Sequence, residues 1–163
     1  MGSGTRQVDA IKPIFALKSA VPSSAAPQWV AMNNYGHITI FILQTNATTV
    51  TGSAITLKQA VDVSGTSSKT LAFKTYWSNT DVSANDTLTV QTASSNTFTT
   101  DATNSKNSIY VIEVDATDLD VANAFNYIQV GVGNGTANTI AVLYTLSITR
   151  QGGNYAIFPS AVV

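Results

Sequence analysis

Few side chains in this chain of 163 residues could act as acids, bases, nucleophiles or metal ligands. The chain has no cysteine and a single histidine, His37, and only 10% of its residues are charged. General acid–base, nucleophilic and metal-assisted mechanisms need several titratable groups gathered in one pocket. The composition therefore predicts a protein that is not an enzyme and that uses no cofactor or metal ion.

The few candidates for chemistry also have simpler interpretations. His37 opens an apolar segment and has no carboxylate or second histidine near it in the sequence, which favours a structural role. Asp115, Asp118 and Asp120 lack the spacing, the glycine and the final glutamate of an EF-hand loop, so they indicate capping and turn formation. Glu113 lies in an apolar segment, where we expect it to pair with a lysine or a backbone donor.

Three aromatic residues offer a second kind of site. Trp29 opens one predicted strand, while Tyr76 and Trp77 close another. Aromatic rings near strand ends can form a platform on which a sugar stacks, but they more often anchor a core or an interface. We interpret them as anchors and keep carbohydrate binding as an alternative.

Charge and hydropathy limit the classes of partner. The net charge of -1 and the scattered lysines and arginines give no basic patch for a nucleic acid. The longest apolar runs, Ile38–Leu43 and Ile140–Leu146, are too short to span a bilayer. The first residues lack the charged and then apolar pattern of a secretory leader. We therefore expect a soluble, unprocessed protein that binds neither nucleic acid nor membrane.

Alternation of apolar and polar residues is the main structural signal. It is clear in Ala54–Asp62, while Ser108–Asp115 is apolar on both faces and is predicted to be a buried central strand. Ala116–Asn123 is predicted to form a helical turn, and Asn134-Gly135 indicates a hairpin. The predicted strands are His37–Gln44, Ala54–Asp62, Thr70–Thr80, Thr87–Thr92, Thr97–Thr99, Ser108–Asp115, Phe125–Val132 and Ile140–Arg150.

Many short strands without a long amphipathic helix predict an all-β fold, in which two antiparallel sheets pack as a β-sandwich of jelly-roll type. We divide the chain into an extended N-terminal arm (1–28), a β-sandwich domain (29–150) and an apolar C-terminal tail (151–163). The arm is rich in proline, which disfavours a regular central strand. Apolar residues of both ends are predicted to form an interface with a neighbouring molecule or subunit: Ile11, Ile14, Phe15, Leu17, Val21, Tyr155, Ile157, Phe158, Val162 and Val163.

Four segments taken together carry a resemblance to a family. They are Asn33–Ile40, Ala54–Thr66, Leu71–Phe73 with Tyr76-Trp77, and Tyr110–Ala116 with Asp118–Asp120. In this order they resemble small structural proteins of tailed-bacteriophage virions, and the chain is similar to capsid decoration (cement) proteins from about Asn33 to Arg150.

The resemblance implies a β-sandwich or jelly-roll protein that sits as a homotrimer on the outside of the capsid. Its partners would be the major capsid protein and other copies of itself. The implied function is to bind the assembled capsid and stabilise it without catalysis. A receptor-binding or carbohydrate-binding β-sandwich of a phage tail or fibre is the alternative.

Overall fold

The computed structural model describes residues 11–149 and 160–162, which form two antiparallel β-sheets with the core between them. The prediction of an all-β, two-sheet sandwich is confirmed. The strands are β1 (Ile11–Ala20), β2 (Val30–Ala31), β3 (Tyr35–Thr51), β4 (Ala54–Ala60), β5 (Lys69–Leu71), β6 (Thr75–Asn79), β7 (Thr89–Thr92), β8 (Thr97–Thr99), β9 (Asn107–Asp115), β10 (Tyr127–Val132) and β11 (Thr136–Thr149).

The six-stranded sheet has the order β1-β11-β3-β9-β6-β7. The five-stranded sheet has the order β2-β10-β4-β5, and β8 pairs with β4 beside that path. Strand β9 is paired on both sides, as its two apolar faces predict. The helical segments in the described residues are three-residue 3₁₀ turns, and none of them could span a bilayer.

The core is built from the inward face of each strand. On β3 the residues Ile38, Ile40 and Ile42 are fully buried, since alternate side chains of a strand point to the same face. Tyr144 of β11 is also fully buried, and its hydroxyl accepts a hydrogen bond from the Val130 N–H at 3.0 Å. This bond joins the two sheets, and burial raises the pKa of Tyr144.

The predicted strand Thr70–Thr80 is two strands, and they lie in different sheets. Strand β5 pairs with β4, whereas β6 pairs with β7 and β9. The inward-facing positions change from Leu71 and Phe73 to Tyr76 and Ser78, so the alternation shifts phase where the chain crosses the sandwich. A single strand with unbroken alternation could not supply side chains to the core from both sheets.

The hairpin predicted at Asn134-Gly135 is wrong, because β10 and β11 belong to opposite sheets and do not pair. The segment between them passes close to the corner between β3 and β4. A Cβ atom at Gly135 would lie 2.4 Å from the Ser53 Oγ, so a side chain here would clash with that corner. Glycine at this position allows two chain segments to approach closely. The local sequence alone does not distinguish this role from that of a glycine in a tight turn.

Residues from both chain ends pack on the sandwich. Strand β1 is the edge strand next to β11, and its Ile14 and Ala16 side chains are buried in the core. Near the other end of the chain, Ala161 is fully buried, and its carbonyl accepts a hydrogen bond from the Ala31 N–H at 2.9 Å. Parts of the predicted arm and tail therefore help to close the sandwich.

Candidate interaction surface

A row of apolar side chains crosses the outer face of the six-stranded sheet, perpendicular to its strands. Each member lies directly opposite the next in the pairing register, so one apolar residue from every strand of the sheet takes part. We call this set the outer apolar row. In order from β1 to β7, its members are Phe15, Leu143, Phe41, Val111, Trp77 and Val90.

The row points away from the core because of strand alternation. Phe41 lies between two inward-facing isoleucines of β3, which leaves its ring on the outer face. The two ends of the row are open, with Phe15 58% exposed and Val90 63% exposed. Val111 near the centre is buried by its neighbours. Large apolar side chains thus cover one another in the middle and meet solvent at both margins.

The apolar surface extends beyond the row on one side. Leu43 of β3 lies opposite Ile109 and Ala141 and is 42% exposed. Isolated apolar residues are common on protein surfaces, whereas a contiguous apolar patch on a monomer marks an interaction site. The outer face of this sheet is therefore the best-supported functional site in the described part of the chain.

A polar cluster lies on the same face, at the other side of the row. The Nδ1 atom of His37 is 2.8 Å from a carboxylate oxygen of Asp115, and its Nε2 atom is 3.9 Å from an oxygen of Glu113. The hydroxyl of Thr39 is 3.4 Å from the same Nε2. The expectation that His37 has no carboxylate nearby holds along the sequence but not in space, because β3 and β9 pair in this register.

The cluster has the order hydroxyl, imidazole and carboxylate, which is also the order of a catalytic triad. Acyl transfer by such a triad needs N–H donors that stabilise an oxyanion beside the hydroxyl. Thr39 lies in a part of β3 that is paired on both sides, with Glu113 of β9 and Thr145 of β11. The ladder occupies the N–H groups around it, so the observed arrangement serves to orient the imidazole on the sheet surface.

The aspartates at the end of β9 and just after it form structural contacts. The Asp118 carboxylate accepts a hydrogen bond from the Asp115 N–H at 2.9 Å, as expected for a capped turn. Asp120 forms an ion pair with Lys69, whose hydrogen bond lowers the pKa of that carboxyl. The same Lys69 ammonium lies 4.0 Å from the ring centroid of Phe125. Within residues 11–149 and 160–162, no three histidine, aspartate or glutamate side chains are placed to hold a metal ion.

The three aromatic residues considered for sugar stacking do not share a surface. Tyr76 points inward and stacks on Phe98. Trp77 lies in the outer apolar row, on the opposite face of the same strand. The indole of Trp29 packs against Gly65, where a Cβ atom would lie 2.7 Å from its Nε1. The platform proposed from the sequence is therefore not formed by these rings.

The predicted interface residues have different environments in the structure. Phe15 alone joins the outer apolar row, while Ile11 and Leu17 are half-buried and Ile14 belongs to the core. Val21 is exposed and lines a shallow cavity of about 310 Å³ beside Asn46 and Asn138. Val162 is exposed. The remaining predicted positions, Tyr155, Ile157, Phe158 and Val163, lie outside the described residues.

The members of the row other than Phe15 were not among the predicted interface residues. The sequence signal that could have indicated them is a strand with apolar side chains on both faces, as in the segment around Phe41. No protein-family model, curated protein or solved structure matches the chain.

Proposed function

We propose that the protein is a non-enzymatic phage virion structural protein that binds the outside of the assembled capsid and stabilises it. The observation that carries the proposal is the outer apolar row, which crosses a sheet of paired strands and is exposed at both margins. The resemblance to decoration proteins supplies the partner, which is the major capsid protein. It also implies a homotrimer and a jelly-roll strand order, and both stay predictions.

The mechanism is burial of apolar surface across the joints between capsid subunits. Each Å² removed from water contributes about 25 cal/mol, and repeated copies on a symmetric shell add avidity. A row held by paired strands loses little conformational freedom on binding, whereas a flexible arm would lose much more. The sheet therefore presents the apolar groups at low entropic cost.

Cosedimentation with capsid shells that lack the protein tests the proposal. We expect saturable binding at a fixed ratio to the major capsid protein. Leu43→Asp, which places a charge beside the row, should weaken binding at least about tenfold, since a buried unpaired charge is costly. Val121→Asp is the matched control, because Val121 is 41% exposed and lies outside the six-stranded sheet.

Two results would refute the proposal. One is a failure of the unmodified protein to bind shells. The other is equal binding by the Leu43→Asp and Val121→Asp variants, which would leave the outer face without a role.

The alternative, a receptor-binding or carbohydrate-binding module, has less support. It requires several aromatic rings on one rim, and of the three candidates only Trp77 lies on the outer face. Glycan-array binding that disappears in Trp77→Ala would favour the alternative over capsid binding.

A further inference from the structure

Strand β7, four residues long, forms an edge of the six-stranded sheet in the described part of the chain, and it lacks the charge, proline and bulge that often protect such an edge. Its four residues contain no proline, glycine or charge, and residues 87–100 contain no charged side chain at all. Proteins commonly protect an edge strand with lysine, proline or a bulge, since unpaired backbone groups invite another strand. An unprotected edge is therefore a candidate pairing surface.

The opposite edge of the same sheet shows the contrast. Strand β1 carries Pro13 and Lys18, and its pairing with β11 is irregular after Phe15. The carbonyl of Ala16 is already occupied, because it accepts a hydrogen bond from the Gln28 N–H at 2.9 Å. In residues 11–149 and 160–162, strand β1 thus carries protective features that β7 lacks.

The register identifies which backbone groups of β7 are open. The Ala93 N–H donates to the Lys74 carbonyl at 2.8 Å, which sets the phase of the ladder between β6 and β7. Antiparallel pairing alternates, so Gln91 directs its N–H and C=O to β6, while Val90 and Thr92 direct theirs away from it. Within residues 11–149 and 160–162 those outward groups meet no further strand.

We propose that β7 is a self-association edge, at which β7 of one copy pairs antiparallel with β7 of a second copy around a two-fold axis. Pairing centred on Val90 gives reciprocal N–H to C=O bonds between the two Val90 residues. It also places Leu88 opposite Thr92 of the second copy. The two six-stranded sheets then become one continuous sheet.

Two observations favour a second copy over another partner. A neutral edge meets itself without like charges in opposition, and a two-fold contact requires a surface that complements itself. The pairing also brings the two Val90 side chains together on the outer face, so the outer apolar rows of both copies join end to end. This inference concerns the sheet edge and does not rest on capsid binding.

Sedimentation equilibrium of the full chain tests the pairing, with Val90→Lys as the main variant. We expect a mass of twice the 17.1 kDa of one chain for the unmodified protein. Two lysines in opposition should weaken the dimer on the order of 100-fold, since like charges placed together cost several kcal/mol. Val82→Lys is the control, because Val82 is 43% exposed and lies outside the strands.

A charge-swap and an exchange measurement make the test specific. An equimolar mixture of Val90→Lys and Val90→Glu should recover the dimer, because opposite charges then face each other. Amide hydrogen exchange at Val90 and Thr92 of the unmodified protein should become slower as the protein concentration rises. This measurement does not depend on the folding of any variant. Circular dichroism establishes that each variant is folded.

The two-fold pairing predicts a dimer in place of the homotrimer that the resemblance implies, so sedimentation equilibrium decides between them. A monomeric or trimeric unmodified protein would overturn the proposal, as would a dimer that Val90→Lys leaves intact. Capsid binding is read separately through Leu43→Asp, which lies on β3 and away from the edge. Shell binding by a protein that does not dimerise would therefore reject the edge pairing and keep the proposed function.

Discussion

The rings of Tyr76 and Phe98 stack across the interior, with their centroids 3.9 Å apart and their planes 10° from parallel. Tyr76 belongs to the six-stranded sheet and Phe98 to the five-stranded sheet, so the stack joins the two layers. Phe98 also contacts Tyr110 at 5.3 Å and meets Phe73 edge-on at 6.2 Å. Trp77, the next residue after Tyr76, points to the outer face, so two adjacent aromatic residues have separate roles.

This division of roles predicts different effects on stability. Phe98→Ala should lower the free energy of unfolding by about 3–5 kcal/mol, because it removes a buried ring at the junction of the sheets. Trp77→Ala should cost clearly less, since its ring is partly exposed. Urea unfolding of both variants measures the difference. Equal losses of stability would contradict the separation of the two residues between core and surface.

A buried amide at one end of the sandwich predicts a second effect. Asn46 donates hydrogen bonds to the carbonyls of Asp101 at 3.1 Å and Thr103 at 2.9 Å. Asn46→Ala should lower the free energy of unfolding by about 1 kcal/mol, because the bond to the Thr103 carbonyl is lost while the Asp101 carbonyl keeps its bond from the Gln44 amide at 3.1 Å. Asn46→Asp should cost more at neutral pH, because a carboxylate lacks the donors and faces two carbonyl oxygens.

Thr45→Ala is the control for this prediction, since Thr45 is the adjacent residue of the same strand and is exposed. Thermal unfolding of the three variants at neutral pH gives the ranking. An Asn46→Asp variant as stable as the Thr45→Ala variant would show that the amide donors are not needed.

The ion pair between Asp81 and Lys106, with 2.7 Å between nitrogen and oxygen, predicts a dependence on pH. The hydrogen bond from Lys106 lowers the pKa of Asp81, and the same bond raises the pKa of Lys106. The carboxyl's contribution to stability is therefore complete above its unfolded pKa of about 3.9 and is lost as pH falls through the lower folded value. The ammonium's contribution is complete below about 10.4 and is lost as pH rises through the raised folded value.

Asp81→Asn should flatten the stability profile at both limits, while the change near neutral pH stays small because the pair is solvent-exposed. Thermal unfolding from acid to alkaline pH measures the profile. Asp86→Asn is the control, since Asp86 is exposed and forms no ion pair with the described residues. Parallel profiles for the parent and Asp81→Asn would refute a stabilising pair.

The contact between His37 and Asp115 predicts a single tautomer of the imidazole. The carboxylate can only accept, so the proton of the neutral ring must lie on Nδ1, which leaves Nε2 to accept from the Thr39 hydroxyl. Nitrogen-15 NMR at alkaline pH should detect the Nδ1–H form in the parent. Asp115→Ala should produce a mixture of tautomers, whereas an unchanged spectrum would contradict a hydrogen bond between His37 and Asp115.

The sequence by itself was enough for those features that depend on neighbouring residues. Alternation of apolar and polar side chains located most strands and predicted the central position of β9, since both of its faces are apolar. The capped turn from Asp115 to Asp118 was likewise readable, because its hydrogen bond spans three residues. Each of these signals is local, so it is present in the chain before any sheet forms.

Only the tertiary structure decided which strands pair and in what register. The crossing between β5 and β6, the separation of β10 from β11 and the contact of His37 with Asp115 all depend on partners distant in sequence. The outer apolar row depends on them most, since Phe41 meets Val111 on one side and Leu143 on the other. A shift of one residue in either pairing would turn an apolar side chain from one face to the other. The alternation of apolar and polar residues along a single strand does not determine that register.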